Sequence, residues 1–355
     1  MSLSLEDFRR AYLALPSPFF ACIELTRKCN ERCVHCYISD YSDYGLSTQE
    51  VFCLLDDMKS LGVFFIIFTG GEVTLRDDWR NIVQYARKLH FMVCVFTNGA
   101  TLTEDDVRFL KNIYVHNVEV SLYSHNPDVH DDITKLKGSF ARTVKTIELC
   151  VKYKVDITIK SPIFKNNYSS YRHIIEYAES LGIKYLVSPI ISAKNNRDKS
   201  TFDLRLDDNE LDNVLGYPGV SKQGTGVFQG DFNDSIACKA VYNTLFVDCE
   251  GYVYPCNQFL YSIGSIKESN IINIWFQSEK LKEFRMIRGS DLKDCHKCDL
   301  LNYCRRCPGM AYFEDNNLYG CSSTGKQIAS SQKRCGILID DRDYWYQVCD
   351  CLRGD

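Results

Sequence analysis

The chain has 355 residues, with 42 Lys plus Arg against 46 Asp plus Glu and a formal charge of −4, so charge alone gives no pull toward nucleic acid or an anionic membrane. Hydrophobic residues at 45% and charged residues at 25% exclude a disordered chain and leave room for one large domain plus a smaller one. Eighteen cysteines stand out; with no export signal in MSLSLEDFRR and no run long enough to cross a bilayer, the expectation is a cytoplasmic protein whose reduced thiols are metal ligands, not disulfides.

Apolar, β-branched runs predict strands at 19–25, 63–68, 91–97, 117–122, 155–160 and 184–188. Helical spacing between them predicts helices at 48–61, 77–89, 103–112, 139–153 and 168–181, with turns at Gly62, Asn98–Gly99, Asn166–Asn167 and Gly182. This alternation implies an α/β fold of parallel strands joined by right-handed crossovers. Periodicity alone leaves a flat sheet and an open barrel equally open. Polar residues at 193–201 and four glycines within 217–230 predict a linker. The expected organisation is therefore a strand–helix domain over 1–200, a linker over 201–236, a cysteine-rich domain over 237–335 and a tail over 336–355. A β-hairpin is expected within 245–256, turning at Glu250–Gly251.

Three cysteine groups carry the chemistry. Cys29-x3-Cys33-x2-Cys36 directly follows the first strand; three thiolates on one loop suit three irons of a [4Fe–4S] cube and leave the fourth iron open, while a zinc loop is the competing reading. Cys238-x12-Gly251-x4-Cys256 spans the hairpin. Cys295-x2-Cys298-x5-Cys304-x2-Cys307 follows, with Cys321 and Cys335 beyond it, and taken bare this pattern also fits zinc. At the end of the second strand, Gly70 and Gly71 allow close backbone approach to a ligand, and Glu72 accepts from an ammonium. Thr97-Asn98-Gly99 and Ser121-Leu122-Tyr123-Ser124 end the next two strands. Cys53 and Cys150 are expected on apolar helix faces and Cys22 and Cys94 within strands, as small core hydrophobes; Cys349 and Cys351 lie in the tail.

The segment ELTRKCNERCVHCY resembles the signature of the radical S-adenosylmethionine superfamily, and the later cysteines resemble its SPASM extension, apart from a last interval of x2 where that pattern has x3. The resemblance implies a partial (β/α)6 TIM-like barrel followed by a small cysteine-rich SPASM domain. It implies S-adenosylmethionine and three [4Fe–4S] clusters as cofactors, with Cys29, Cys33 and Cys36 holding the first. Gly70, Gly71 and Glu72 would bind the methionine amino group, His35 would lie near the adenine, and Ser121 with Arg142 would meet the ribose or carboxylate. Cys238, Cys256 and Cys307 would hold an inner auxiliary cluster, with Cys249 or an open iron as the fourth position. Cys295, Cys298, Cys304 and Cys321 would hold an outer one, with Cys335 competing for the place of Cys321.

The implied reaction is reductive cleavage of the cofactor to a 5′-deoxyadenosyl radical, fed by an electron donor such as flavodoxin or ferredoxin. VEVSLYSHNPDVHDDITKLKGSFARTV resembles the peptide-maturing branch, which implies a thioether or carbon–carbon crosslink in a ribosomally made peptide. A sulfatase maturase, a haem-pathway enzyme and, outside catalysis, an iron–sulfur electron carrier are the alternatives. Only 28 residues precede Cys29, so a leader peptide is expected to be presented by a separate protein or bound by the barrel itself. No general acid or base is identifiable from sequence.

Overall fold

The computed structural model describes residues 17–42, 45–220 and 232–338. Six strands alternate with helices: β1 (Phe20–Glu24), β2 (Phe65–Thr69), β3 (Met92–Thr97), β4 (Asn117–Ser121), β5 (Ile157–Pro162) and β6 (Lys184–Ser188). Between them lie α1 (Thr48–Leu61), α2 (Trp79–Lys88), α3 (Glu104–Asn112), α4 (Pro127–Thr134), α5 (Ser139–Tyr153) and α6 (Tyr171–Ser180). Their ends follow local chemistry. Ser47 and Glu50 form a reciprocal capping box on α1, which stops at Gly62 with a φ of 93°; Thr103 and Asp106 cap α3 in the same way.

All neighbouring pairs among β1–β6 are parallel, so the strands end at one rim. Alternation sorts their side chains into two faces. Ala21, Ile23, Ile66, Phe68, Val118 and Val120 join Leu55, Ile82, Val107 and Ile147 of the helices in the main core. The opposite face has an apolar floor of Phe20, Phe65, Ile67 and Cys94. Glu24, Glu119 and Lys160 stand nearer the rim, and Lys160 pairs with the fully buried Glu119 at 2.5 Å.

β7 (Thr244–Val247) and β8 (Tyr252–Tyr254) form the expected antiparallel hairpin, with Gly251 turning at a φ of 90°. The sequence reading did not foresee that β7 also pairs parallel with β1, from Phe20↔Thr244 to Ile23↔Val247. With β9 (Gly264–Ser265), the hairpin extends a nine-stranded sheet whose edges are β6 and β9, so the arrangement is a partial barrel and not a closed one.

Part of the expected linker is ordered helix. α7 (Asp208–Leu215) opens with a capping box of Asp207 and Glu210 and buries Leu211, Val214 and Leu215. An acidic cap followed by apolar residues on one face outweighs the polar composition around it. The glycine-rich segment 221–231 lies outside the described residues, as do Cys349 and Cys351 of the tail. α8 (Ala240–Asn243) leads into β7, and beyond the hairpin come α9 (Ile271–Gln277), α10 (Glu279–Met286), α11 (Pro308–Asp315) and α12 (Ser323–Arg334), with the cysteines of the third group on turns between α10 and α11. No helix among the described residues is long and apolar enough to cross a membrane. Cys53, expected on an apolar helix face, is instead exposed beside Gln49, because α1 turns Leu54, Leu55 and Met58 inward.

Candidate cluster and cofactor site

The loop that leaves β1 is held from three sides. Arg27 bonds back to Glu24 at 3.1 Å and crosses to Asp248 at 3.6 Å and to Glu250 on the hairpin turn. Arg32 and Val34 donate backbone N–H groups to Thr134 and Ile133 at the end of α4, at 2.9 and 3.0 Å. On the third side lie Gly70 and Gly71. A Cβ on Gly70 would stand 2.3 Å from the Thr26 carbonyl oxygen, and one on Gly71 2.4 Å from that of Lys28. Gly71 and Glu72 then donate their N–H groups to Thr26 and Lys28 at 2.8 Å. The two glycines were expected to admit a ligand; in the structure, their lack of a side chain is what lets this loop pack against the end of β2.

So held, the loop gathers Cys29, Cys33 and Cys36. The Cys29 sulfur accepts from the Glu31 backbone N–H at 3.4 Å and from Asn98 Nδ2 at 3.8 Å. Burial pushes the Cys29 thiol up to about 12 and raises Cys33 and Cys36 as well. A metal that binds them must displace their protons, and the N–H donors aimed at sulfur favour the thiolate form.

Glu72, the expected acceptor of the amino group, follows the two glycines. It is fully buried, and both of its oxygens are engaged: Oε1 accepts from the Thr74 N–H at 3.1 Å and from the Thr74 and Thr97 hydroxyls at 2.7 and 2.8 Å, and Oε2 accepts from the Asn98 N–H at 2.7 Å. It ties the ends of β2 and β3 together instead of presenting a free acceptor. Glu31, which sequence reasoning passed over, is its opposite. Oε2 accepts from Cys33 Sγ at 3.3 Å, and the buried Oε1 has no hydrogen-bond partner. Burial pushes the Glu31 carboxyl up to about 7. An acid inside the C-x3-C interval was visible in the sequence; that it folds inward was not.

The other expected cofactor residues are close to this loop. The ring of His35 packs against Tyr123 and Phe164 at centroid distances of 4.8 and 4.9 Å, and burial lowers its pKa to about 4, so it is neutral near pH 7. Ser121, at the end of β4, engages the Tyr123 hydroxyl, which lies 3.9 Å from Cys33 Sγ. Arg142 is exposed on α5 and donates to the Lys137 carbonyl at 3.2 Å, while its charge favours ionised Glu31.

The later cysteines fall into two sets. Cys256 feels the charges of Cys307 and Cys238, and Cys307 caps α11 by accepting from the Met310 N–H at 3.4 Å. Cys295, Cys298, Cys304 and Cys321 act on one another electrostatically. The Cys249 thiol bonds Glu24 beside Arg27. Cys335 packs on α7, 3.5 Å from the Asp212 carbonyl oxygen. The cysteines among the described residues form no disulfide. No three His, Cys, Asp or Glu side chains among the described residues converge tightly enough to grip a single metal ion. Thiols that each take a different corner of a cube need no such convergence. All-thiol sets in groups of three and four, with amide donors on sulfur and an orphaned carboxylate oxygen beside the first, fit iron–sulfur clusters and a cationic cofactor.

Comparison with known proteins places both cysteine-bearing regions within families. The radical SAM superfamily model matches residues 23–178, and the iron–sulfur cluster-binding domain model, SPASM, matches residues 238–308. An AdoMet-dependent heme synthase of Oleidesulfovibrio alaskensis is 24% identical over 80% of this chain and 81% of its own. The antilisterial bacteriocin subtilosin biosynthesis protein AlbA of Bacillus subtilis is 28% identical over 82% of this chain and 67% of its own. Streptococcus suis SuiB, solved with its precursor peptide SuiA, shares the fold with a TM-score of 0.69 at 17% identity, over 92% of this chain and 82% of SuiB. The chain belongs to the radical S-adenosylmethionine superfamily of enzymes and carries a SPASM iron–sulfur cluster-binding domain.

Proposed function

We propose that this enzyme modifies a peptide, forming a thioether or carbon–carbon crosslink in a ribosomally made precursor, with three [4Fe–4S] clusters and S-adenosylmethionine as cofactors. The observation that carries the radical chemistry is the gathering of Cys29, Cys33 and Cys36 on one pinned loop at the strand rim, beside Asn98 and Glu31. Bound and reduced there, a cluster supplies cleavage of S-adenosylmethionine to a 5′-deoxyadenosyl radical, which takes hydrogen from unactivated carbon. The chain's own part is to orient and to exclude water: Tyr123, Ile133, Phe164 and Ile191 form an apolar group against Cys33 and Val34. We assign the inner auxiliary cluster to Cys238, Cys256 and Cys307, and the outer one to Cys295, Cys298, Cys304 and Cys321. The thiols of Cys249 at Glu24 and Cys335 at Asp212 favour leaving both out. His35, Ser121 and Arg142 are assigned to the cofactor's surroundings.

The peptide substrate is supported by likeness to a bacteriocin biosynthesis protein and to a fold solved with a precursor peptide. A haem-pathway substrate is the second reading, because a heme synthase matches over a similar share of the chain. An electron donor such as flavodoxin or ferredoxin and a separate leader-presenting protein complete the proposal. After anaerobic reconstitution, reductant and S-adenosylmethionine should yield 5′-deoxyadenosine in the wild type and none in Cys33→Ala. Mass spectrometry of short peptides encoded beside the gene should then show loss of hydrogen. Turnover of an iron porphyrin with every such peptide unchanged would overturn the peptide reading.

A further inference from the structure

We propose that Lys160, on the inner face of the partial barrel, binds a carboxylate of the substrate, an inference that rests on the superfamily reading of the first cysteine loop. The sheet face opposite the helices is floored by Phe20, Phe65, Ile67 and Cys94. Over this apolar floor Lys160 of β5 reaches toward β4 and β3: its ammonium lies 2.5 Å from the Glu119 carboxylate and 3.9 Å from the centre of the Phe96 ring. Cys22 of β1 and Cys94 of β3 both feel the charges of Lys160 and Glu119, so the pair is turned onto the inner face and not toward the helices. Register pairs Lys160 with Ser121, the last residue of β4. The cation therefore stands at the level of the rim from which the first cysteine loop departs.

Stability is a poor reason for such a pair. Taking two charges out of water is costly, and apolar side chains of similar volume often serve a core as well or better. What the arrangement provides is an aimed cation. Glu119 and the electron-rich face of Phe96 fix a long, flexible stem, so less rotamer freedom is left to lose when a ligand arrives. The pair also has a direction: the Glu119 side chain is fully buried, while that of Lys160 keeps 28% of its exposure, so the reachable end is the positive one. An ammonium carries more than one N–H donor and can serve Glu119 and a second acceptor together. A carboxylate is the acceptor that gains most from a positive charge set over an apolar floor. An acidic side chain or C-terminus of a peptide supplies one, as does a porphyrin propionate.

The test compares acid and neutral forms of the same ligand. The full chain, reconstituted anaerobically and given S-adenosylmethionine without reductant, is titrated calorimetrically with the short peptides encoded beside the gene. Each peptide is also made with Asn and Gln for its acids and an amidated C-terminus, and an iron porphyrin with free propionates is set against its methyl ester. The wild type should bind one acid form about tenfold or more tightly than its amide or ester. Because Lys160→Met alone strands a buried Glu119, the informative variant is Lys160→Met with Glu119→Met, its iron content and thermal midpoint checked first. It should lose the preference for the acid and bind the neutral form within about twofold of the wild type, whereas Lys160→Arg should keep most of the preference. Preference for a peptide acid puts the carboxylate on the peptide; preference for the propionates keeps the role of Lys160 and removes the peptide reading. Acid and neutral forms bound alike by the wild type, no binding of any of these probes, or an equal loss of both forms in the double variant would overturn the proposal. A wild-type chain with its full iron that releases no 5′-deoxyadenosine once reductant is added would instead sink the superfamily reading.

Discussion

Between Cys33 and α4 lies a small stack of rings in which the His130 imidazole makes one hydrogen bond: its Nδ1 accepts from the Tyr123 N–H at 3.3 Å, and Nε2 is buried without a partner. Burial lowers its pKa to about 4. The unfolded chain therefore takes up this proton near its ordinary value of about 6.5, before the folded chain does. Stability is full above that value and is lost as pH falls toward 4, by up to about 1.4 kcal/mol per pH unit for this group. His130→Gln should flatten the fall: its urea midpoint should drop less than the wild type's between about pH 7 and about pH 5. An equal drop in both proteins would remove His130 as the cause. The same residue-level reading separates Glu31 from Glu72. Type and spacing named Glu72 as the acceptor, whereas the end of β3 brings it Thr97 and the Asn98 N–H, and Glu31 meets Cys33 within its own loop.

At the level of elements, caps and periodicity made most of the first half legible: α1 and α5 run over the predicted residues, and β6 does as well. α4 was missed although Asn126 and Pro127 open it as an N-cap and first-turn proline, because eight residues hold too few apolar positions to show a period. α7 was absorbed into the expected linker for a related reason. Its apolar face is covered from the far end of the chain: Leu211, Val214 and Leu215 pack with Ile328 and Ile337. Arg334 on α12 adds a forked bond to Asp212, at 2.6 and 2.8 Å. Both side chains are about a third exposed, so solvent screens the pair. A double-mutant cycle with Asp212→Ala and Arg334→Ala should give a coupling of about 0.5–1 kcal/mol in urea denaturation, and a coupling near zero would show that packing alone joins the helices.

At the scale of the whole molecule, charge contacts among the described residues join the cysteine-rich half to the barrel. Arg27 reaches Asp248 and Glu250 on the hairpin, placing the first cysteine loop against the chain that leads to Cys256. Arg205 pairs with Glu314 at 3.2 Å, and Glu314, 1% exposed, also accepts from the Thr324 hydroxyl at 2.6 Å. Glu314→Ala would leave the Arg205 guanidinium largely buried with one anion fewer, and should cost about 3 kcal/mol in global stability. Equilibrium urea unfolding checks this; a change under about 0.5 kcal/mol would mean that solvent replaces the carboxylate.

By itself the sequence determined the periodic elements, the parallel α/β class and the cysteine groups, because these depend on residues close along the chain: a strand's alternation, a helix's cap, three thiols within eight positions. Only the tertiary structure decided that β7 extends the sheet beside β1, that the Cys249 thiol meets Glu24 and Cys335 meets the Asp212 carbonyl, and which acid keeps an oxygen free. The strand pairing and the two cysteine contacts join residues more than a hundred positions apart, and Glu72 is met by Thr97 and Asn98 from the next strand end. Burial and hydrogen-bond partners are properties of such contacts, and no local pattern encodes them.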